Sequence, residues 1–135
     1  MLVLDSSATI AWVLADERNL GPELLARLAG TETAMVPMHW LLEVTNALRM
    51  AVKRKRLDPG DPAQLLARIR NQPIEIDPET IARCWHDIPA LADAHGLTTY
   101  DAAYLELAIR LGAPLATLDE DLAQAAHAAG VEIFS

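Results

Sequence analysis

The sequence is short of cysteine, long apolar runs and basic residues, and each shortage excludes a class of protein. Its single cysteine, Cys84, cannot form an internal disulfide, and no second cysteine or nearby histidine pair completes a metal site. We expect Cys84 to be a buried apolar residue. No apolar run approaches the ~20 residues of a membrane-spanning helix. The opening MLVLDSS lacks the features of a signal peptide, so we expect a cytoplasmic protein with no membrane partner.

Basic residues are outnumbered, with 11 Lys and Arg against 19 Asp and Glu, and the net charge is −8. A protein that coats nucleic acid would carry the opposite excess. The charge does not exclude a nuclease, because acids that hold metal ions count as negative until the ions bind.

What is present is an apolar chain in which short strands alternate with helices. Hydrophobic residues make up 52% of the 135 residues, enough for one domain with a sizeable core. No hairpin signal such as Asn-Gly occurs, so the pattern predicts a five-stranded parallel sheet with helices on both faces, a three-layer α/β/α fold. The predicted strands are 2–4, 34–36, 73–76, 115–118 and 131–134. The predicted helices are 8–14, one from Pro22, 39–56, one from Asp61, one from Asp77 to Gly96 that Pro89 must kink or split, 98–111 and 120–129.

Two aspartates follow predicted strands and are expected at one edge of the sheet. Asp5 ends the first strand and Asp119 follows the fourth. In an open parallel sheet, sites form beyond the carboxyl ends of the strands, where the strand order reverses. Each aspartate can also be explained as an ordinary helix N-cap, and the two explanations have similar weight for either residue alone.

Two further acids lie beside the apolar faces of helices. Asp101 is aligned with Tyr104 and Ala108, opposite Glu106 and Arg110, so its carboxylate should point inward, although Asp101 could also close a capping box with Thr98. A buried charge requires compensation, which favours a functional role. Glu43 flanks the inward face of its helix near Asn46, and alone it is better explained as a solvated residue.

The four acids carry more weight together than singly. Two carboxylates about 4 Å apart repel by roughly 4 kcal/mol at an effective dielectric constant of 20. If Asp5, Glu43, Asp101 and Asp119 converge, bound cations must offset this repulsion. Oxygen-only ligands suit Mg²⁺ or Mn²⁺, which can share substrate phosphates, so the predicted chemistry is phosphodiester hydrolysis.

The ordered set of motifs resembles the PIN-domain family, and especially the VapC-type toxins of toxin–antitoxin pairs. The resemblance covers the whole chain, residues 1–135, and any one motif alone is weak. It is carried by Asp5-Ser6-Ser7, by Glu43 with Asn46 and Leu48, by Tyr100-Asp101-Ala102-Ala103-Tyr104, and by Thr117-Leu118-Asp119-Glu120-Asp121-Leu122.

The resemblance implies a Mg²⁺- or Mn²⁺-dependent endoribonuclease with a single PIN domain. Asp5, Glu43, Asp101 and Asp119 match the metal-binding catalytic acids of the family. It further implies an RNA substrate, a homodimer and a cognate antitoxin that covers the active site. Further matches are an acid that only some members use, two small hydroxyl residues near the site and a supporting polar residue: Asp121, Ser7, Thr117 and Asn46. Asp121 is equally explained as a surface residue.

The basic run and the tryptophans can each be interpreted in two ways. The basic run Lys53 to Arg56 either complements the negative end of its helix or contacts RNA phosphates. Trp12 and Trp40 are expected in the core, with a groove for the antitoxin as the less favoured role of Trp12.

Two other functions fit the sequence less well than a nuclease does. A phosphoacceptor receiver domain could use Asp77, but it needs a late lysine and none follows Lys55. A PIN-like module that binds RNA or protein without cutting would not need all four acids, so their presence counts against this function.

Overall fold

A parallel sheet of four short strands forms the centre of the fold. The computed structural model describes residues 1–14, 26 and 32–134, and the helix expected from Pro22 lies outside them. The strands are β1 (Leu2–Leu4), β2 (Ala34–Val36), β3 (Ile74–Ile76) and β4 (Leu115–Ala116). Their order is β3-β2-β1-β4, with Val3 paired to Met35 on one side and to Leu115 on the other. The strand order therefore reverses at the junction of β1 and β4.

The expected fifth strand, 131–134, does not extend the sheet, and the prediction of five strands is wrong. Ile133 forms one parallel bridge with Leu115. The Leu115 N–H donates to the Glu132 carbonyl at 2.9 Å, and the Phe134 N–H donates to the Leu115 carbonyl at 2.9 Å. Because β4 has only two residues, its free edge offers too little backbone for a longer ladder.

Seven helices surround the sheet in the described part of the chain. Their bounds are α1 (Ser6–Val13), α2 (Trp40–Lys53), α3 (Asp61–Arg70), α4 (Thr80–Arg83), α5 (Asp87–His95), α6 (Thr99–Leu111) and α7 (Glu120–Ala128). The chain moves from β1 to β3 in one direction and returns to β4 in the other. Right-handed crossovers then place α1 to α3 on one face and α4 to α6 on the opposite face.

The core lies where the helices meet the central strands. All residues of β1 are buried, and α6, which packs against β1 and β4, is buried all round from Ala102 to Ala108. Trp12 and Trp40 both belong to this core, as predicted, which leaves Trp12 unexposed for an antitoxin. In the described residues no helix is both long and apolar enough to cross a bilayer.

The helix predicted from Asp77 to Gly96, with a kink or split at Pro89, is indeed two helices, but the break begins at Cys84, before Pro89. Pro89 lacks the N–H that would bond the Trp85 carbonyl, so α5 starts just before it and places Pro89 in its first turn. Trp85 is 86% exposed at the break, and Cys84 is also exposed. The expectation of a buried Cys84 is therefore wrong. Only Ile88, from the predicted apolar stripe, is buried.

The basic run lies at the end of α2, where the chain turns. Lys53, Arg54, Lys55 and Arg56 are all exposed and form no ion pair with other described residues. Lys55 adopts φ = 59°, a left-handed conformation that ends the helix. This position agrees with both the helix-terminus and the RNA-contact interpretations.

A buried ion-pair cluster joins the end of β3 to α6. The Asp77 carboxylate is 4% exposed and receives two hydrogen bonds from the Arg110 guanidinium, at 2.6 and 3.2 Å. Arg110 also donates to Glu106 at 2.7 Å. Although burial opposes ionisation, these hydrogen bonds lower the pKa of Asp77 below its usual value. Asp77 is thus engaged in structure, which removes the basis for a phosphoacceptor role.

Replacing Arg110 with Met should strongly destabilise the protein, because it leaves the buried Asp77 carboxylate without a counter-ion and leaves buried Glu106 with only the longer Arg83 contact, at 3.7 Å. We expect a loss of about 3 kcal/mol in the free energy of unfolding, measured by urea denaturation. Arg83→Met is the matched control: its two shorter ion pairs are with the more exposed Glu79 and Asp87, and its contact with buried Glu106 is longer, at 3.7 Å, so it should cause a much smaller loss. Equal losses would contradict the special role of the Arg110 cluster.

Candidate active site

Asp5 is a buried aspartate at the point where the strand order reverses. Its side chain is 3% exposed, and its backbone N–H continues the β1–β4 ladder by donating to the Ala116 carbonyl at 3.1 Å. The Oδ1 atom accepts hydrogen bonds from the Ala8 N–H at 2.9 Å and the Ser7 hydroxyl at 2.7 Å. Asp5 is therefore an N-cap of α1, and its carboxylate is held in one orientation at the sheet edge.

Two hydroxyl groups connect Asp5 to the loop after β4. The Thr117 hydroxyl donates to Asp5 Oδ2 and accepts from the Asp119 N–H at 3.0 Å. The Ser7 hydroxyl accepts from the Leu118 N–H at 2.9 Å while donating to Asp5. Ser7 and Thr117 therefore lie at the site, as the family resemblance implied, and they fix Asp5 relative to Asp119.

Asp119 has a cap geometry similar to that of Asp5. Its Oδ1 atom accepts a hydrogen bond from the Leu122 N–H at 3.0 Å and caps α7. Asp119 is partly exposed, and the groove beside it has a volume of about 590 Å³, with Ser6, Ser7 and Ala47 in its lining. The capping explanation is correct for both aspartates. It does not compete with a functional role, because capping engages only Oδ1 of each carboxylate, and a carboxylate oxygen such as Asp5 Oδ2 can accept from Thr117 and still bind a cation.

Glu43 and Asp101 come to the site on α2 and α6. The Glu43 carboxylate accepts a hydrogen bond from the Tyr104 hydroxyl at 2.5 Å, and His39 Nε2 lies 3.5 Å from the same Oε1 atom. Asp101 lies in the first turn of α6, where its N–H donates to the Thr98 hydroxyl at 3.1 Å. Thr98 is thus the N-cap, and both acids are partly exposed.

The four carboxylates are close enough to affect one another electrostatically. Burial raises the pKa of Asp5 to about 6, and repulsion from Asp119 adds to the increase. Burial also raises the pKa of Asp101, with further contributions from Asp119 and Glu43. Each of the four acids is therefore linked to another by repulsion, although they come from four separate segments of the chain.

The donor set fits a hard divalent cation in its chemistry. All four side chains offer carboxylate oxygens, which Mg²⁺ and Mn²⁺ prefer, and a cation would relieve the repulsion that raises the pKa of Asp5 and Asp101. Among the described residues, no three His, Cys, Asp or Glu side chains already form a ready metal cage. Mg²⁺ does not require one, because it keeps several waters and takes one or two protein carboxylates.

Two residues that the family resemblance placed at or near the site are exposed. Asp121 is exposed on α7, and Asn46 is exposed without a side-chain hydrogen bond to another described residue. Glu106, predicted to face outward on the side of the helix opposite Asp101, is itself buried beside Arg110. That prediction is wrong because α6 is covered on every side.

Sequence reasoning assigned no role to two buried residues that tie the acid-bearing helices together. Thr9 donates to the Asp5 carbonyl at 2.8 Å and accepts from the Trp40 indole N–H at 3.0 Å, which joins α1 to the first residue of α2. Tyr104 joins α6 to Glu43. A polar atom within an otherwise apolar helical face is the signal that could have identified both residues.

Comparison with known proteins agrees with this geometry. The sequence profile of the PIN domain matches residues 2–128. The chain belongs to the PIN-domain family. It is 33% identical over 140 residues to Ribonuclease VapC12 of Mycobacterium tuberculosis, covering 100% of both chains. It is 32% identical over 127 residues to Ribonuclease VapC3 of Pyrobaculum aerophilum, covering 91% of this chain and 92% of the relative.

Solved structures share the PIN fold at low sequence identity. PAE2754 from Pyrobaculum aerophilum superposes with a TM-score of 0.70 at 22% identity, covering 92% of this chain and 83% of that one. FitAcB from Neisseria gonorrhoeae gives a TM-score of 0.59 at 19% identity, covering 100% and 97%. These similarities establish the fold of this PIN domain.

The raised pKa of Asp5 predicts how the metal-free PIN domain responds to pH. Between about pH 4 and pH 6 the folded state keeps a proton that the unfolded chain has released. The free energy of unfolding should therefore fall as the pH rises through this window, by about 3 kcal/mol in total.

Asp5→Asn should remove that fall, because the amide carries no charge to bury. Urea denaturation in EDTA at several pH values measures both proteins, with Asp93→Asn on the surface of α5 as the control. At neutral pH, Asp5→Asn should be the more stable protein. If the free energy of unfolding depends on pH in the same way in wild type and in Asp5→Asn, the Asp5 charge does not destabilise the fold.

Proposed function

We propose that this PIN domain is a Mg²⁺- or Mn²⁺-dependent endoribonuclease, acting in the cytoplasm as the toxin of a toxin–antitoxin pair. In this proposal Asp5, Glu43, Asp101 and Asp119 are both the catalytic and the metal-binding residues. The observation that carries it is the mutual repulsion of these acids at the β1–β4 switch point, where burial and Asp119 raise the pKa of Asp5 to about 6. The relatives named as ribonucleases support RNA as the substrate.

Each residue of the site would have a role that depends on its burial and its hydrogen bonds. A bound divalent ion would supply a water acidic enough to attack phosphorus, and positive charge for the leaving oxygen. Asp5, fixed by Ser7, Ala8 and Thr117, would give the least mobile ligand oxygens. Glu43, Asp101 and Asp119 are partly exposed, so they can adjust to the ion and to the scissile phosphate.

The first prediction of this proposal concerns RNA cleavage. Purified protein should cut RNA internally with Mn²⁺ or Mg²⁺ and stop when EDTA is added. Asp5→Asn and Asp101→Asn should each lower the rate at least ~100-fold, because each removes a charge that the ion requires. Gel analysis of labelled RNA gives the rates.

Asp93→Asn is the control for that experiment, since it makes the same chemical change on the exposed surface of α5 and should cut normally. A protein that binds RNA but leaves it intact with either ion would instead favour the non-cutting PIN-like module.

We further propose that a small antitoxin, encoded beside this chain, covers the active site. The support is the toxin resemblance together with the open groove beside Ser7 and Asp119, which a polypeptide segment could occupy. A basic side chain from the antitoxin would offset the local negative charge as a cation does.

Adding the protein encoded by the adjacent reading frame should therefore abolish RNA cleavage at a one-to-one ratio. The same protein should bind Asp119→Asn more weakly than wild type, because that variant offers less negative charge, and calorimetry measures the two affinities. Undiminished cleavage in the presence of excess neighbouring protein would contradict the antitoxin assignment.

A homodimer is the proposed assembly. Its support is a group of exposed apolar side chains around the α4–α5 break: Met38 and Tyr100 line one cleft with Cys84, and Trp85 follows directly. Exposed apolar surface of this kind is typical of protein interfaces. Sedimentation as a monomer at assay concentrations would rule this assembly out.

A further inference from the structure

Tyr104 is a buried tyrosine whose hydroxyl faces the candidate site from the core. The residue is 1% exposed, yet its hydroxyl donates to Glu43 Oε1 at 2.5 Å. A tyrosine this deeply buried needs a partner for its hydroxyl, and here the partner is one of the four clustered acids. Tyr104 also lies one turn after Asp101 on α6, so the same helix turn carries an acid and the donor to another acid.

The Tyr104 hydroxyl engages one oxygen of Glu43 and leaves the other open. Among the described residues, Oε2 of Glu43 has no hydrogen-bond partner, whereas Oε1 has Tyr104 and lies near His39. The Glu43 carboxylate is 32% exposed, so without Tyr104 it could turn toward solvent and away from Asp101. The hydrogen bond therefore restricts the rotamers of Glu43 and leaves Oε2 available as a ligand.

Tyr104 also connects elements that are distant in sequence. The ring is packed edge-on against His39, with centroids 5.2 Å apart, and the hydroxyl bonds to Glu43, 61 residues away. One buried side chain on α6 thus contacts both the N-cap and the first turn of α2.

We propose that Tyr104 is a positioning residue that holds Glu43 in the orientation in which it binds the divalent ion. This inference rests on the proposed metal-dependent function and names a residue outside the acidic set. Groups that hydrogen-bond to a metal ligand fix its orientation, and their loss commonly lowers metal affinity or activity 10–100-fold.

The test is Tyr104→Phe, which removes one hydroxyl group and keeps the ring. The apparent Mg²⁺ and Mn²⁺ affinities, measured by calorimetry and by the ion-dependent rise in melting temperature, should fall at least ~10-fold. Cleavage should recover in part at high ion concentration. Tyr100→Phe is the matched control, because it removes an exposed hydroxyl one turn earlier on α6 and should leave both readouts unchanged.

A double-mutant cycle with Glu43→Gln separates positioning from general packing. If Tyr104 acts through Glu43, Tyr104→Phe should cause little further loss of ion affinity once Glu43→Gln is present. An equal loss in both backgrounds would overturn the proposal, and so would wild-type ion affinity in Tyr104→Phe. If the wild type binds ions and Tyr104→Phe matches it, only this inference fails. If the wild type neither binds ions nor cuts RNA, the proposed function fails as well.

A measurement on folded protein covers the case in which Tyr104→Phe does not fold. Because the chain has two tyrosines, Tyr100→Phe leaves Tyr104 as the one signal in protein labelled at tyrosine Cζ. The Tyr104 resonance should shift when Glu43→Gln is introduced, because the hydrogen-bond acceptor changes. In the protein that keeps Glu43, the resonance should still be that of a hydrogen-bonded hydroxyl after Mg²⁺ is added. A hydrogen bond lost on Mg²⁺ binding would overturn the proposal.

Discussion

The placement of the Asp5 carboxylate imposes the main constraint on this structure. The group is buried at the junction of β1 and β4, where its charge is poorly hydrated, and a second acid, Asp119, stands nearby. Three hydrogen bonds, from Ser7, Ala8 and Thr117, partly offset the cost of ionising it. They do not offset it fully, because the pKa of Asp5 remains raised to about 6. The site is thus assembled at a cost in stability that a cation would relieve.

The surrounding fold explains how such a site persists. The strand reversal brings the ends of β1 and β4 side by side, so Asp5 and Thr117 meet although more than a hundred residues separate them. Thr9 and Tyr104 then tie the helices that carry Glu43 and Asp101 to this edge. The Arg110 cluster stabilises the far end of α6. Apolar packing supplies most of the stability, while these few buried polar contacts set the orientation of the acids.

Much of this arrangement was predictable from local sequence patterns. The end of β1 at Asp5, the N-caps at Asp5, Thr98 and Asp119 and the core positions of both tryptophans follow from apolar runs and capping residues. What failed depended on tertiary context. The position of the helix break at Cys84, before Pro89, the exposure of Trp85 and the burial of Glu106 are decided by which neighbours cover each segment. The hydrogen bond from Tyr104 to Glu43 joins residues whose proximity no local pattern specifies.

The proposed function requires that acids from four segments of the chain share a divalent ion, and a crystal structure of the Mn²⁺-soaked protein would show whether they do. Anomalous scattering should place manganese at the carboxyl edge of β1 and β4, about 2.0–2.3 Å from oxygens of at least two of the acids, with Asp5 among them. If manganese binds only elsewhere, or if the site between well-ordered carboxylates stays empty at saturating Mn²⁺, the four acids do not form the proposed metal site.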